Sequence, residues 1–448
     1  MATVEIRKLT KDQSACEEPV TVKNNGKDPV YQLRAQTQAD SGYYDGKELV
    51  FGKILPGQSK TASIPVGFCD VEGRKVGSSA PTPKDAPRVC RIPKDAVSRQ
   101  DGVRVKFESA GDHAPSEVEI RPTVRALDRP VFAYAYEVVD NRGSANGDGR
   151  IQKGEGMTLY LTVKNVGKGR SYETQANLRN LSGDGILLGE GRFDVSNMQP
   201  GDTKKVAFTF DVLSSVEGSE LKVELSVADR DLREIAAEKI KLMLEPASPV
   251  TPLSGGAKAK DGGAALVESP SATARPFGKL AAGAIAKILG KSGDFIKLEI
   301  GKGRFAFARE QELDVGQPVP GETAVFEDLL QRSPPLVDVM PAALATREGK
   351  IKILGAATDN DRILDAYMFV NARKVFYRSN KGGADPKKLP IDVEVPLRPG
   401  TNYLRFIARE TPETVTQRVF VVRRDGANGE LLATPKNEEA LFDDLSGE

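Results

Sequence analysis

The sequence predicts an all-β protein: tandem immunoglobulin-like β-sandwiches, with a small SH3-like barrel and a flexible linker between them. Three observations carry that expectation. Short runs alternate apolar and polar residues, as in Met157-Thr158-Leu159-Tyr160-Leu161-Thr162-Val163, the pattern of a half-buried strand. Gly (43) and Pro (28) are plentiful and punctuate those runs as turns. A phrase also occurs twice, as Val22-Lys23-Asn24-Asn25-Gly26-Lys27 and Val163-Lys164-Asn165-Val166-Gly167-Lys168, each copy closing an alternating run. Each copy is followed by a Pro-Gly turn and a further strand: Pro56-Gly57 before Thr61-Ala62-Ser63-Ile64, and Pro200-Gly201 before Val206-Ala207-Phe208. The interval between copies is too long for a solenoid unit and suits one small sandwich.

Residues 1–124 are expected to form the first sandwich, interrupted by an insertion at 67–100. There Pro81, Pro83, Pro87 and Pro93 exclude a continuous strand or helix. Residues 130–245 form the second sandwich, opened by Val131-Phe132-Ala133-Tyr134-Ala135-Tyr136. Over 246–275 the composition turns to Pro, Gly, Ala and Ser, which predicts a flexible linker. Residues 276–330 resume short strands with tight Gly turns, hence the SH3-like barrel. A last sandwich spans 334–424, and 425–448 is an acidic tail, expected to fray from about Pro435.

In a chain of 448 residues, 64 Lys and Arg nearly cancel 63 Asp and Glu, leaving a formal charge of +1. That balance argues against a nucleic-acid or anionic-membrane binder. No Trp is present, so an aromatic platform for carbohydrate is poorly supported. No apolar run reaches the roughly 18 residues that a membrane span needs. Met1-Ala2-Thr3-Val4-Glu5-Ile6 enters a strand with no basic-then-apolar leader. The chain is therefore expected to be cytosolic or a piece of an exported protein.

Few residue groups suggest chemistry. Cys69 and Cys90 share the insertion, where a disulfide would close a loose loop; unpaired thiols are the alternative. Cys16 is left over, and with one histidine, His113, a zinc site is not expected. The loop Ser144–Glu155 matches a calcium-loop pattern at Asn146, Asp148, Gly149 and Glu155, with Ile151 as the apolar anchor. Ser144 stands where an acid belongs, and Asp140 is the substitute from the preceding strand. The candidate calcium ligands are thus Asp140, Asn146, Asp148 and Glu155; a turn whose Asn and Asp cap their own backbone is the competing reading. Asp359-Asn360-Asp361 with Asp365 reads as a turn cluster, and Tyr31, Tyr43 and Tyr44 as a candidate aromatic patch. No nucleophile elbow occurs, and Gly301-Lys302-Gly303-Arg304 lacks the ending of a phosphate loop. Sandwich edges that accept a partner's strand remain the main route to binding.

The order of segments resembles the non-catalytic, β-rich C-terminal region of large bacterial C-terminal-processing (tail-specific) serine peptidases. The phrases that carry the resemblance are Val20-Thr21-Val22-Lys23-Asn24-Asn25-Gly26, Val50-Phe51-Gly52-Lys53-Ile54-Leu55-Pro56-Gly57, Asn146-Gly147-Asp148-Gly149 and Val163-Lys164-Asn165-Val166-Gly167. It implies a periplasmic or cell-envelope location and a protein or peptide partner, such as a peptidase catalytic domain. The family's Gly-Ser-Ala-Ser-like segment and its downstream Lys have no counterpart. Gly143-Ser144-Ala145-Asn146 shares three letters but joins two strands, so no catalytic residue carries over. The expected function is a non-catalytic protein-binding module, accessory to such a peptidase. The alternatives are the peptidase itself, through an unrecognised arrangement, and a calcium-stabilised adhesion or surface protein.

Overall fold

The repeated phrase folds the same way in both copies. In the computed structural model, which describes residues 2–6, 17–71, 88–111 and 113–435, Asn24 and Asn165 are both buried at a strand end. Each side-chain carbonyl accepts the N–H two residues on, Gly26 at 2.9 Å and Gly167 at 3.0 Å, which closes an Asx turn. The side-chain amides donate to backbone carbonyls, Asn24 to Ile54 at 3.1 Å and Asn165 to Met198 at 3.2 Å. The backbone of each Asn also binds the downstream Pro-Gly turn, through Gly57 N–H to Asn24 O and Gly201 N–H to Asn165 O, both 2.7 Å. One buried amide thus ties a strand end to a distant turn, and leaving its donors unsatisfied would cost about 1–3 kcal/mol.

Alternation decides which faces meet. In the first sandwich the sheet of Ala2–Ile6, Glu17–Asn24 and Ser59–Pro65 packs on the sheet of Val118–Ile120, Val103–Ala110, Val30–Ala39 and Glu48–Ile54. Val20, Val22 and Ile64 meet Leu33, Leu49 and Ile54 in its core. The second sandwich sets Phe132–Arg142, Gly156–Asn165, Thr203–Val212 and Ile186–Leu188 against Arg192–Asp194, Thr174–Asn180, Glu220–Asp229 and Glu234–Met243. Its core holds Leu159, Leu161, Phe208 and Phe210 from one sheet and Leu225 and Val227 from the other. In the last sandwich, Leu336–Pro341, Lys350–Thr358 and Lys388–Pro396 face a larger sheet. That sheet contains Val415–Arg424, Gly400–Arg409, Asp365–Val370 and Arg373–Ser379. The all-β, multi-sheet architecture is as expected.

Three expectations need correction. The span 246–275 is not a structureless linker: Gly256–Ala259 and Ala264–Leu266 are strands of the third unit. Ala257, Ala259 and Ala264 fill its core, and their low strand propensity concealed them. That unit does not close into an SH3-like barrel. A five-stranded and a three-stranded sheet touch through an isolated bridge, Val267 to Phe307.

The insertion at 67–100 is not all irregular either. Phe68–Val71 pairs with Arg88–Arg91, while Ser98–Gln100 leaves the first sandwich and runs parallel to Val415–Arg424 of the last. Residues 425–435 of the tail are packed, with Leu431 buried and its carbonyl bound by Arg104 at 2.7 Å. Cys16, the proline-rich stretch 72–87 and the tail beyond 435 lie outside the described residues.

Candidate functional site

The calcium-like loop forms, and the structure gathers Asp140, Asn146, Asp148 and Glu155. Asp140 lies near the end of the strand Phe132–Arg142, Gly147 and Gly149 take positive φ (71° and 77°), and Glu155 opens the return towards Gly156–Asn165. Asp140, Asp148 and Glu155 are nearly fully buried.

Their oxygens, however, face backbone N–H groups. Asp140 accepts from Asp148 (2.8 Å) and Gly149 (3.1 Å), and Asp148 accepts from Arg150 (2.8 Å) and from Ser248 (2.7 Å). Glu155 accepts from Asn146 (3.3 Å) and Gln152 (2.8 Å). Both oxygens of each carboxylate are therefore directed at donors rather than at a common point.

A cation is already present. The Lys297 ammonium of the third unit donates to Gly147 O and lies 3.7 Å from the Phe305 ring centroid. Burial pulls its pKa down, against the opposing pull of Asp140 and Asp148. Burial pushes the Asp140 carboxyl up to about 7; the N–H groups oppose this, and Asp148 and Glu155 add to it. Among the described residues no group of three or more His, Cys, Asp or Glu is placed to hold a metal ion. The loop does not fit calcium. It is a hydrogen-bonded knot, the self-capping alternative, and the lysine neutralises part of its charge.

The knot lies on a seam between the second sandwich and the third unit. Val139, Val267, Phe295, Phe305 and Phe307 form a small core there. Beside it Arg304 donates to buried Glu137 and lies over the rings of Tyr160 (4.7 Å) and Phe326 (5.2 Å). Glu268 accepts from Val138 N–H at 3.0 Å, and Asp328 pairs with Lys205 at 2.7 Å. Gly149 fits where nothing larger would: a Cβ there would meet Phe307 Cε2 at 2.4 Å and Glu268 O at 2.7 Å. Sequence reading found the loop but missed Lys297 and Ser248, since no local pattern marks residues that act across so long a separation.

The other expected groups are resolved as follows. Cys69 and Cys90 are disulfide-bonded, cross-strand neighbours in their two-stranded ribbon. Tyr31, Tyr43 and Tyr44 make no common patch: Tyr31 is exposed, Tyr43 packs edge-on to Phe68 at 5.3 Å, and Tyr44 is core. Asp359 caps Asp361 N–H at 2.7 Å, whereas Asp365 is taken by Arg409 at 2.6 Å and 2.8 Å, as the turn reading requires. Ser144 Oγ donates to Gly154 O at 2.6 Å. No helix among the described residues is long and apolar enough to cross a membrane.

No family model and no curated protein matches the chain. Among solved structures, it is similar at 10% identity and a TM-score of 0.15 to a protein of unknown function from Porphyromonas gingivalis W83. That match covers 54% of this chain and 99% of the other. It is similar at the same identity and TM-score to Escherichia coli alpha-2-macroglobulin activated by porcine elastase, covering 94% of this chain but 44% of that protein. The chain thus spans less than half of the macroglobulin, and scores this low carry no functional argument.

Proposed function

We propose that this chain is a non-catalytic scaffold that holds a protein or peptide partner in the cell envelope. The supporting observation is that buried charges face partners inside the chain, while the edge strand Arg373–Ser379 has one strand neighbour among the described residues. Glu137, Asp140, Asp148 and Asp101 all face partners within the chain, and Glu137 and Asp148 are held from across the chain by Arg304 and Ser248. The Cys69–Cys90 bond supports an oxidising compartment, where such bonds persist. A C-terminal-processing peptidase domain is one partner that the sequence resemblance suggests.

The reading is tested with a serine-reactive fluorophosphonate probe and with unfolded casein. Purified chain should remain unlabelled and leave the casein intact. Labelling that disappears on substituting a single Ser would replace the scaffold by an enzyme, because labelling requires an activated nucleophile.

A further inference from the structure

We propose that the edge strand Arg373–Ser379 of the last sandwich takes up an acidic, extended segment of a partner protein as an added strand. This deepens the scaffold reading and rests on it. Among the described residues the large sheet ends at this strand, which pairs there only with Asp365–Val370. At its other end the same sheet already accepts added strands, because Ser98–Gln100 and Thr123–Val124 of the first sandwich extend it beyond Val415–Arg424. One edge is thus filled by another part of the chain, and the opposite edge carries no further strand among the described residues.

Its chemistry selects the occupant. Arg373, Lys374 and Arg378 lie on the strand, Lys381, Lys387 and Lys388 follow it, and Asp385 is the only acid between 373 and 388. In a chain of net charge +1 this is a local concentration. The cations serve both faces of the edge. On one face Lys374 lies 4.8 Å from the ring centroids of both Tyr367 and Tyr377, which are cross-strand partners. Tyr377 is 55% exposed, and Phe369, edge-on to Tyr367 at 5.9 Å, continues the aromatic row beneath Arg405. On the other face Arg378 lies over Phe376 at 5.6 Å and donates to Pro390 O at 2.9 Å.

A strand laid alongside would exchange backbone hydrogen bonds with the edge and meet positive charge above and below. Carboxylates on both of its faces are therefore favoured. A second copy is disfavoured, since pairing two such edges sets like charges opposite one another. Lysines on an edge can also act solely to repel other strands, in which case the edge binds nothing.

The test uses the full chain and a fluorescein-labelled ten-residue peptide of alternating Glu and Val, followed by anisotropy. The peptide is expected to bind. Affinity should fall about tenfold or more, that is by roughly 1.4 kcal/mol, for Lys374→Glu/Arg378→Glu. The same loss is expected when alternate peptide nitrogens are methylated at unchanged charge. Lys374→Gln/Arg378→Gln, a milder exposed change, should give a smaller loss and guards against a misfolded charge reversal. Absence of binding overturns the proposal and leaves a purely protective edge. Equal binding of the methylated peptide, or of a DNA oligonucleotide of the same charge, also overturns it, because the site would then be a general anion patch. None of these outcomes bears on the fluorophosphonate result, so failure here and failure of the scaffold reading are told apart.

Discussion

Glu137 and Asp140 lie on the strand Phe132–Arg142, both fully buried, and burial pushes each carboxyl up to about 7. Arg304 opposes the rise at Glu137 and the N–H groups of the knot oppose it at Asp140, without cancelling it. Carboxyls of the unfolded chain titrate near 4, so the folded chain holds these protons more tightly. Their stabilising contribution is complete below about pH 4 and is lost as the pH rises through about 7. Asp40 has the opposite sign. Burial is outweighed there by the hydroxyls of Thr434 and Thr401 and by Arg423, which hold its pKa down, so its contribution is lost on acidification. Urea titrations should therefore show stability falling by on the order of 1–3 kcal/mol between about pH 5.5 and 8. Asp140→Asn should flatten that slope; a stability that climbs over the same interval would contradict the assignment. Saturating calcium should leave the midpoint unmoved, whereas at about 100 times its dissociation constant a bound ion would add about 2.7 kcal/mol.

At the scale of elements, the ribbon of Phe68–Val71 and Arg88–Arg91 shows how a short pair of strands is kept. Two strands of four residues bury too little to stand alone, and the Cys69–Cys90 bond closes a sequence separation of 21. Chain-entropy reasoning assigns such a loop about 3 kcal/mol. Reduction, or Cys69→Ser/Cys90→Ser, is expected to lower the unfolding midpoint and to open the ribbon to proteolysis. An unchanged proteolytic pattern would mean that packing of Phe68 on Tyr43, not the bond, holds it. The same scale explains what the sequence showed and hid. Gly156–Asn165 was visible because its apolar residues alternate cleanly, although the structure covers both faces of that strand. Gly256–Ala259 was not, because alanine and glycine give no period even where they are buried. The Asp140–Glu155 loop was legible from local spacing, but whether it met a metal or a lysine depended on Lys297, whose position no spacing encodes.

Across the whole molecule, the first and last sandwiches are joined by a buried ionic seam. Arg99 pairs with Asp101 at 2.6 Å, Arg423 with Asp425 at 2.8 Å, and Arg423 also reaches Asp40 at 3.1 Å. Burial raises the Asp101 pKa against the pull of Arg99, which marks the cost of placing that pair away from water. Replacing one partner strands the other charge, so Asp101→Ala should cost about 3–5 kcal/mol and separate unfolding of the two sandwiches into distinct transitions. Calorimetry that returned one unchanged transition would show the seam to be incidental.

The chain by itself determined that this is a protein of strands, because alternation and glycine-rich turns are local and survive without any tertiary context. It also marked the repeated phrase that contains Asn24 and Asn165, and the pair of cysteines. Only the tertiary structure decided that a stretch rich in glycine and proline supplies core strands, that a strand of the first sandwich belongs to the last sheet, and that Lys297 reaches the acidic loop. Those outcomes rest on contacts between residues far apart in sequence, which burial and charge pairing select only once the sheets have met.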